Sequence, residues 1–126
     1  MKNGRIDSFT DLNAWQEGHK LVLLIYKVTK RFPREETYSL TDQIRRAASS
    51  ITANIAEGFG RQTYKEKLQF YYISKGSLSE AKNFLFIARD VDYLNKTEFD
   101  SIIEQLSIAD QLLQGLIRKT RTLISH

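Results

Sequence analysis

The sequence predicts an all-α fold: an up-down-up-down antiparallel four-helix bundle, in a single domain over residues 1–126. Three observations carry this. Apolar residues recur every three or four positions along nearly the whole chain, the period of one helix face. One proline and six glycines in 126 residues supply too few turn formers for an all-β fold, and no stretch alternates polar with apolar as a half-buried strand does. The breaks between periodic stretches are short, which lays successive helices side by side and antiparallel. A chain of this length buries about two-thirds of its unfolded surface and needs no covalent staple.

The first helix is expected over about 13–31. Ala14, Gly18, Leu21, Ile25, Val28 and Phe32 form its stripe, with Trp15 and Val22 beside them. Phe32-Pro33 ends it, because the residue before a proline is pushed out of the helical region. The stretch PREETY, residues 33–38, is the longest loop. The second helix spans about 40–58, with Ser39 and Asp42 as a capping pair. Leu40, Ile44, Ala47, Ile51 and Ile55 make its stripe, and Gly58 and Gly60 stop it. Its remaining positions are small: Ala47, Ser50 and polar Asn54 form a second row, and Ser49, Thr52, Ala53 and Ala56 fill most of the rest. Such a helix can be approached closely from several sides, and Asn54 is expected to hydrogen-bond a helix end or loop. The third helix spans about 63–94 behind a Thr63–Glu66 capping box. Its core row reads Phe70, Ser77, Ala81, Phe84, Ala88 and Val91, with Tyr71, Leu78 and Leu85 beside it. Thr97 caps the fourth helix, about 97–125, whose stripe is Phe99, Ile102, Leu106, Ala109, Leu113, Leu116 and Leu123.

Composition removes most catalytic classes. Cysteine is absent, so disulfides and thiolate metal sites are excluded. MKNGRIDSF has no apolar core and is not expected to be a signal peptide. The longest apolar run, Leu21–Tyr26, is far short of the ~20 residues of a membrane span, so no membrane partner is expected; the lack of cysteine fits a reducing cytoplasm, the expected location. Of the two histidines, His126 is terminal and His19 stands alone on the first helix, while a metal site wants several ligands in register. Ser49-Ser50 has no base placed beside it. Gly58-Phe59-Gly60 follows a helix rather than a strand, unlike a phosphate-binding fingerprint. No enzyme, cofactor or metal is expected.

What remains points to interaction. Helices three and four are each about 30 residues against nearer 18 for the first two, an overhang of roughly 15–20 Å that needs something to pack against. On the third helix Tyr72, Phe86 and Tyr93 cluster away from the core row with Gly76 among them, a candidate oligomer interface. Lys75, Lys82, Arg89 and Lys96 are spaced by seven into one stripe beside those aromatics, with Asp90 the one acid close by, and Arg118, Lys119 and Arg121 form a second basic cluster. With a net charge of +4 this pattern fits phosphate contact combined with base stacking, so RNA or DNA is a candidate partner. A solvated face and a subunit interface are the competing accounts of the stripe, and a structural or regulatory scaffold for a protein partner is the alternative function. Arg45 and Arg46 lie in the first turns of the second helix, where its dipole disfavours cations. They call for a partner: Glu35 or Glu36, a carboxylate of another subunit, or an external anion.

One family resemblance spans about residues 9–95. It rests on Trp15 in LNAWQ, Phe32-Pro33 with Glu36, Leu40, Gln43, Arg45-Arg46-Ala47, Ser50-Ile51, Asn54-Ile55-Ala56-Glu57-Gly58, Arg61, Gly76-Ser77 with Glu80, Ala88-Arg89-Asp90 and Tyr93-Leu94. In these the chain resembles the bacterial four-helix-bundle proteins encoded in intervening sequences of 23S rRNA genes, which are related to accessory proteins of diversity-generating retroelements. The resemblance implies a homopentameric four-helix bundle with no established enzymatic activity. The retroelement relatives bind nucleic acid and a reverse transcriptase, which makes a reverse transcriptase a partner by analogy alone. Two positions depart from the pattern. Thr52 stands where many relatives have proline, and Lys82 stands where an acidic residue is common, so the basic stripe is not inherited from the family.

Overall fold

A computed structural model describes residues 4–124; the last residue of the expected fourth helix and His126 lie outside them. A short 3-10 turn, Phe9–Asp11, leads into α1 (Asn13–Thr29). A second 3-10 turn, Arg34–Glu36, precedes α2 (Leu40–Gly60), and α3 (Tyr64–Asp90) and α4 (Lys96–Ile124) follow. Contacts between helices fix the directions. Gly18 meets Ile51 and Thr52 while Arg45 reaches back to Thr29, so α1 and α2 run antiparallel. Ser74 bonds Ile51 and Ser77 meets Ser50. Gln105 bonds Glu17, and Phe86 packs on Phe99. Each helix is therefore antiparallel to the next, and α4 closes against α1: the up-down-up-down bundle.

The stripes of α1 and α2 are buried as expected, from Ala14 through Phe32 and from Leu40 through Ile55. The α3 seam is turned. Its buried residues are Tyr71, Ser74, Ser77, Leu78, Ala81, Leu85 and Ala88; Ser77, Ala81 and Ala88 of the expected row are among them, and apart from Ser77 the line alternates by three and four, pairing each large residue with a small one. Phe70 and Phe84 are only half-buried, and Val91, expected in the core, is 49% exposed. Along α4 the seam drifts after Leu113 to Ile117 and Thr120, which leaves Leu116 half-buried and Leu123 exposed. A straight helix of 3.6 residues per turn cannot keep a seven-residue stripe for its whole length.

The ends also differ from expectation. α1 stops at Thr29, before Phe32-Pro33. Ser39 makes no side-chain cap; the Leu40 N–H donates to Glu36 instead, and Asp42 pairs with Arg46. Thr63 does cap α3, accepting from the Glu66 N–H at 3.1 Å. α3 ends at Asp90 in a reversal with Asp92 at φ 66°, where the Tyr93 N–H reaches back to the Ala88 carbonyl. Asn95, not Thr97, opens α4: its side chain accepts from the Glu98 N–H and Glu98 accepts from the Asn95 N–H. The helix lengths of 17, 21, 27 and 29 residues leave the long pair an average of about 13 Å longer, less than expected.

Gly58 does not stop α2. The helix runs through it to Gly60, and Gly58 is buried where α3 crosses. A Cβ there would lie 2.7 Å from Tyr71 Cε1 and 3.1 Å from the Lys67 carbonyl oxygen. Hydroxyls mark the same close seam. Ser74, fully buried, donates to the Ile51 carbonyl at 2.7 Å, and Ser77 Oγ lies 2.8 Å from Ser50 Oγ. Small residues admit the approach, and hydroxyl bonds to the neighbouring helix satisfy the polar atoms that it buries. Lys67 completes the join by donating to the Phe59 carbonyl at the end of α2.

Candidate interaction surfaces

The arginine pair does not bind Glu35 or Glu36. Arg46 pairs with Asp42 one turn away at 3.0 Å. Arg45 donates from Nε to Thr29 Oγ1 at 2.8 Å, and its guanidinium carbon sits 4.7 Å from the centre of the Tyr26 ring. Thr29 can accept because it donates its own hydroxyl proton to the Ile25 carbonyl. Glu36 is held elsewhere, accepting from Tyr93 Oη at 2.8 Å and from the Leu40 N–H. The Tyr93 hydroxyl bond holds the Glu36 carboxyl below its usual range, and Glu36 in turn pushes the Tyr93 phenol up. Asn54 also departs from expectation: it donates to the Ser50 carbonyl and hydroxyl of its own helix, reaching no helix end or loop. Glu57 pairs with Arg61, whose guanidinium covers Phe70.

The basic stripe that begins on α3 lies along its seam with α4, and α4 supplies Lys75 with an acid that spacing on α3 alone does not reveal. Lys75 pairs with Asp110 at 2.5 Å, Lys96 with Asp100 at 2.7 Å, and Arg89 with its neighbour Asp90 at 2.7 Å. Arg89 also stacks over both Phe86 and Phe99, and its bond to Asp90 holds the guanidinium pKa up and the carboxyl pKa down. Lys82, Arg118 and Lys119 are exposed and have no ion pair among the described residues. Arg121 donates to Tyr72 Oη at 2.8 Å and lies over the same ring. Tyr72, Lys75, Gln114, Ile117, Arg118 and Arg121 line one cleft of about 260 Å³. The two sequence clusters thus meet at one end of the α3–α4 seam, while Lys82, Arg89 and Lys96 lie further along it.

The four interface candidates divide. Gly76 has nothing within 4 Å of where a Cβ would stand, so another backbone could approach it. Tyr72 and Phe86 are a little over a third exposed, but each is engaged with α4. Tyr93 is half-buried against Phe32 and latched to Glu36, so its role lies within the fold. A second row was missed: Ile73, Ile87 and Val91 are 51%, 41% and 49% exposed. At ~100° per residue they share one sector of α3 with Gly76 and Glu80, on the side toward α2. Their spacing of fourteen and four is helical and marks the row in the sequence, but the expected core row claims Val91.

His19 stacks on Trp15 at 4.7 Å with an interplanar angle of 11°. Ser50 is occupied by Asn54 and Ser77, and no group of three or more His, Asp or Glu able to hold a metal occurs among the described residues. No described helix is long and apolar enough to cross a membrane.

Residues 10–115 match the pattern of the 23S rRNA-intervening sequence protein family. A crystal structure of a protein of unknown function from the S23 ribosomal protein family of Bacteroides thetaiotaomicron superposes with a TM-score of 0.76. It shares 21% identity and covers 82% of this chain and 97% of its own, a likeness of fold. No curated protein matches the chain.

Proposed function

The chain belongs to the family of 23S rRNA-intervening sequence proteins, and from that premise we propose that it is a non-enzymatic bundle that works by self-association, as a homopentamer. The observation that carries this is the outward row Ile73, Ile87 and Val91 beside Gly76. About half of each aliphatic side chain is still exposed, worth ~1 kcal/mol apiece on burial. α2 adds small, accessible residues, Ala53 and Gly60, which let a neighbour come near. Light scattering at micromolar concentration tests it, and the pentamer is expected at five times the chain mass of 14.6 kDa. A mass of one chain overturns self-association. Ile73→Glu with Ile87→Glu should break the assembly while leaving the helical signal intact.

A second reading, RNA or DNA bound along the α3–α4 seam, is favoured by the cleft that joins Tyr72 to Lys75, Arg118 and Arg121. Three of the four stripe cations already hold carboxylates. Phosphate contact therefore falls first to Arg118, Lys119 and Lys82. If the protein binds no nucleic acid at ~50 mM salt, where counterion release favours binding most, the scaffold function stands in its place.

A further inference from the structure

We propose a binding site for a phosphate group in the cleft where the end of α1, the loop after Pro33 and the first turns of α2 meet. The cleft holds about 280 Å³ and is lined by Lys30, Arg34, Arg45, Thr29, Thr37 and Thr41, with Phe32 and Pro33 in its wall. Three cations and three hydroxyl-bearing residues face one space, and among the described residues no carboxylate lines it. Neither Lys30 nor Arg34 has an ion pair. Glu36, which spacing nominated as the partner, is turned to Tyr93 and the Leu40 N–H.

Arg45 is built for this. Its Nε is committed to Thr29 and its plane rests on Tyr26, so the guanidinium is held from one edge and one face. The Nη N–H donors stay available in the fork that matches a phosphate oxygen pair. Thr41 is the second sign. It is 93% buried at 7% exposure, yet its hydroxyl has no hydrogen-bond partner. No fully buried side-chain N or O among the described residues lacks a partner, so this hydroxyl keeps access to solvent, and Thr41 lines the cleft. Here it is ready to donate to an anion. A cation cluster without counter-charge beside the first turn of a helix carries a positive potential that an anion relieves. The site stands on the other side of the bundle from the α3–α4 seam and does not depend on self-association.

Inorganic phosphate is the first probe. It is titrated into the full-length protein at constant ionic strength with chloride as the balancing anion, and binding is followed by calorimetry and by melting temperature. Phosphate should bind and raise the melting temperature above that in chloride. Arg45→Gln should weaken binding ~10-fold or more, since charge-assisted bonds to the oxygens are lost. Lys30→Gln is exposed and holds nothing in the fold, so it should weaken binding several-fold with no change of melting temperature in chloride. Arg46→Gln, paired with Asp42 outside the cleft, should bind as the wild type does. A short RNA with a 5′-phosphate is compared with the same RNA ending in a 5′-hydroxyl. Arg45-dependent preference for the former assigns a terminal phosphate. Equal Arg45-dependent binding of both assigns the backbone diester, and binding of inorganic phosphate alone assigns a small ligand. Failure of the wild type to bind any of the three probes overturns the site. Equal weakening by Arg45→Gln and Arg46→Gln also overturns it, leaving only a diffuse charge effect.

Discussion

Gly58→Ala is the most informative single substitution, because two effects of known sign oppose each other there. Alanine inside a helix is favoured over glycine by ~1 kcal/mol. At this site the new methyl would stand 2.7 and 3.0 Å from Cε1 and Cδ1 of Tyr71, where carbon atoms prefer ~3.5–4.0 Å. The ring has little room to swing away, since Tyr71 is 2% exposed. The third neighbour, the Lys67 carbonyl oxygen at 3.1 Å, belongs to the backbone of α3. Relief therefore requires α2 and α3 to separate, which stretches the Ser74–Ile51 and Ser77–Ser50 bonds as well. Overpacking of this kind costs ~1–3 kcal/mol, so the net expectation is a loss of up to ~2 kcal/mol once the propensity gain of ~1 is subtracted. For a chain of this length 1 kcal/mol is about 3–5 °C in melting temperature. Gly115→Ala is the reference, because it lies inside α4 and its Cβ would meet only Arg118 Nη2 at an ordinary 3.8 Å. It should gain close to the full ~1 kcal/mol. Urea and thermal melts of both variants at matched protein concentration decide the matter. If Gly58→Ala is as stable as Gly115→Ala, the seam is looser than described and the reasoning fails. Tyr71→Leu in the Gly58→Ala background should recover part of the loss, and a purely additive double mutant would argue against a clash.

Ala47→Leu should cost ~1–3 kcal/mol because Ala47 is buried at 2%, whereas Ala53→Leu, on the exposed side of α2, should leave melting of the dissociated chain unchanged. Asp92→Gly should stabilise the α3–α4 reversal by up to ~1 kcal/mol, since φ 66° strains any residue with a Cβ; no gain in a urea melt would contradict this. The Glu36–Tyr93 latch should be sensitive to pH at both ends. The Glu36 carboxyl lies below its ordinary 4.5 in the fold, so its contribution is complete above about that pH and is lost as pH falls further. The Tyr93 phenol lies above its ordinary 10.0, so its contribution is lost as pH rises past that value. Glu36→Gln should flatten the acid limb of a plot of melting temperature against pH, and an unchanged limb would place the acid sensitivity elsewhere. If nucleic acid binds at the α3–α4 cleft, Arg118→Glu with Arg121→Glu should abolish binding and preserve the oligomer mass; retained RNA affinity with the same salt slope would exclude the cleft.

Fold class, helix order and the inner faces of α1 and α2 were determined by the sequence alone, because a 3.6-residue apolar period over whole helices is a redundant signal. Dozens of positions vote for it, and no single misassigned residue changes the result. The ends and the site were decided only in three dimensions. Thr97 and Asn95 are equally plausible caps by residue type, and it is Glu98 returning its carboxylate to the Asn95 N–H that selects one. Gly58 looked like a helix stop because a glycine near a helix end usually is one; only the arrival of Tyr71 from another helix gives it a different reason to be glycine. Lys75 looked free because Asp110 lies on α4, 35 residues along the chain and outside any local window. Arg45 shows the limit most clearly. Its need for a partner was legible from its place near a helix start. That the nearby glutamate is spent on Tyr93, leaving a cleft of cations and an unbonded Thr41 hydroxyl, follows from contacts as many as 57 residues apart. Local spacing determines which face of a helix is apolar. Which charge meets which is determined by packing between helices, since charge pairing acts through space and leaves no periodic trace in the chain.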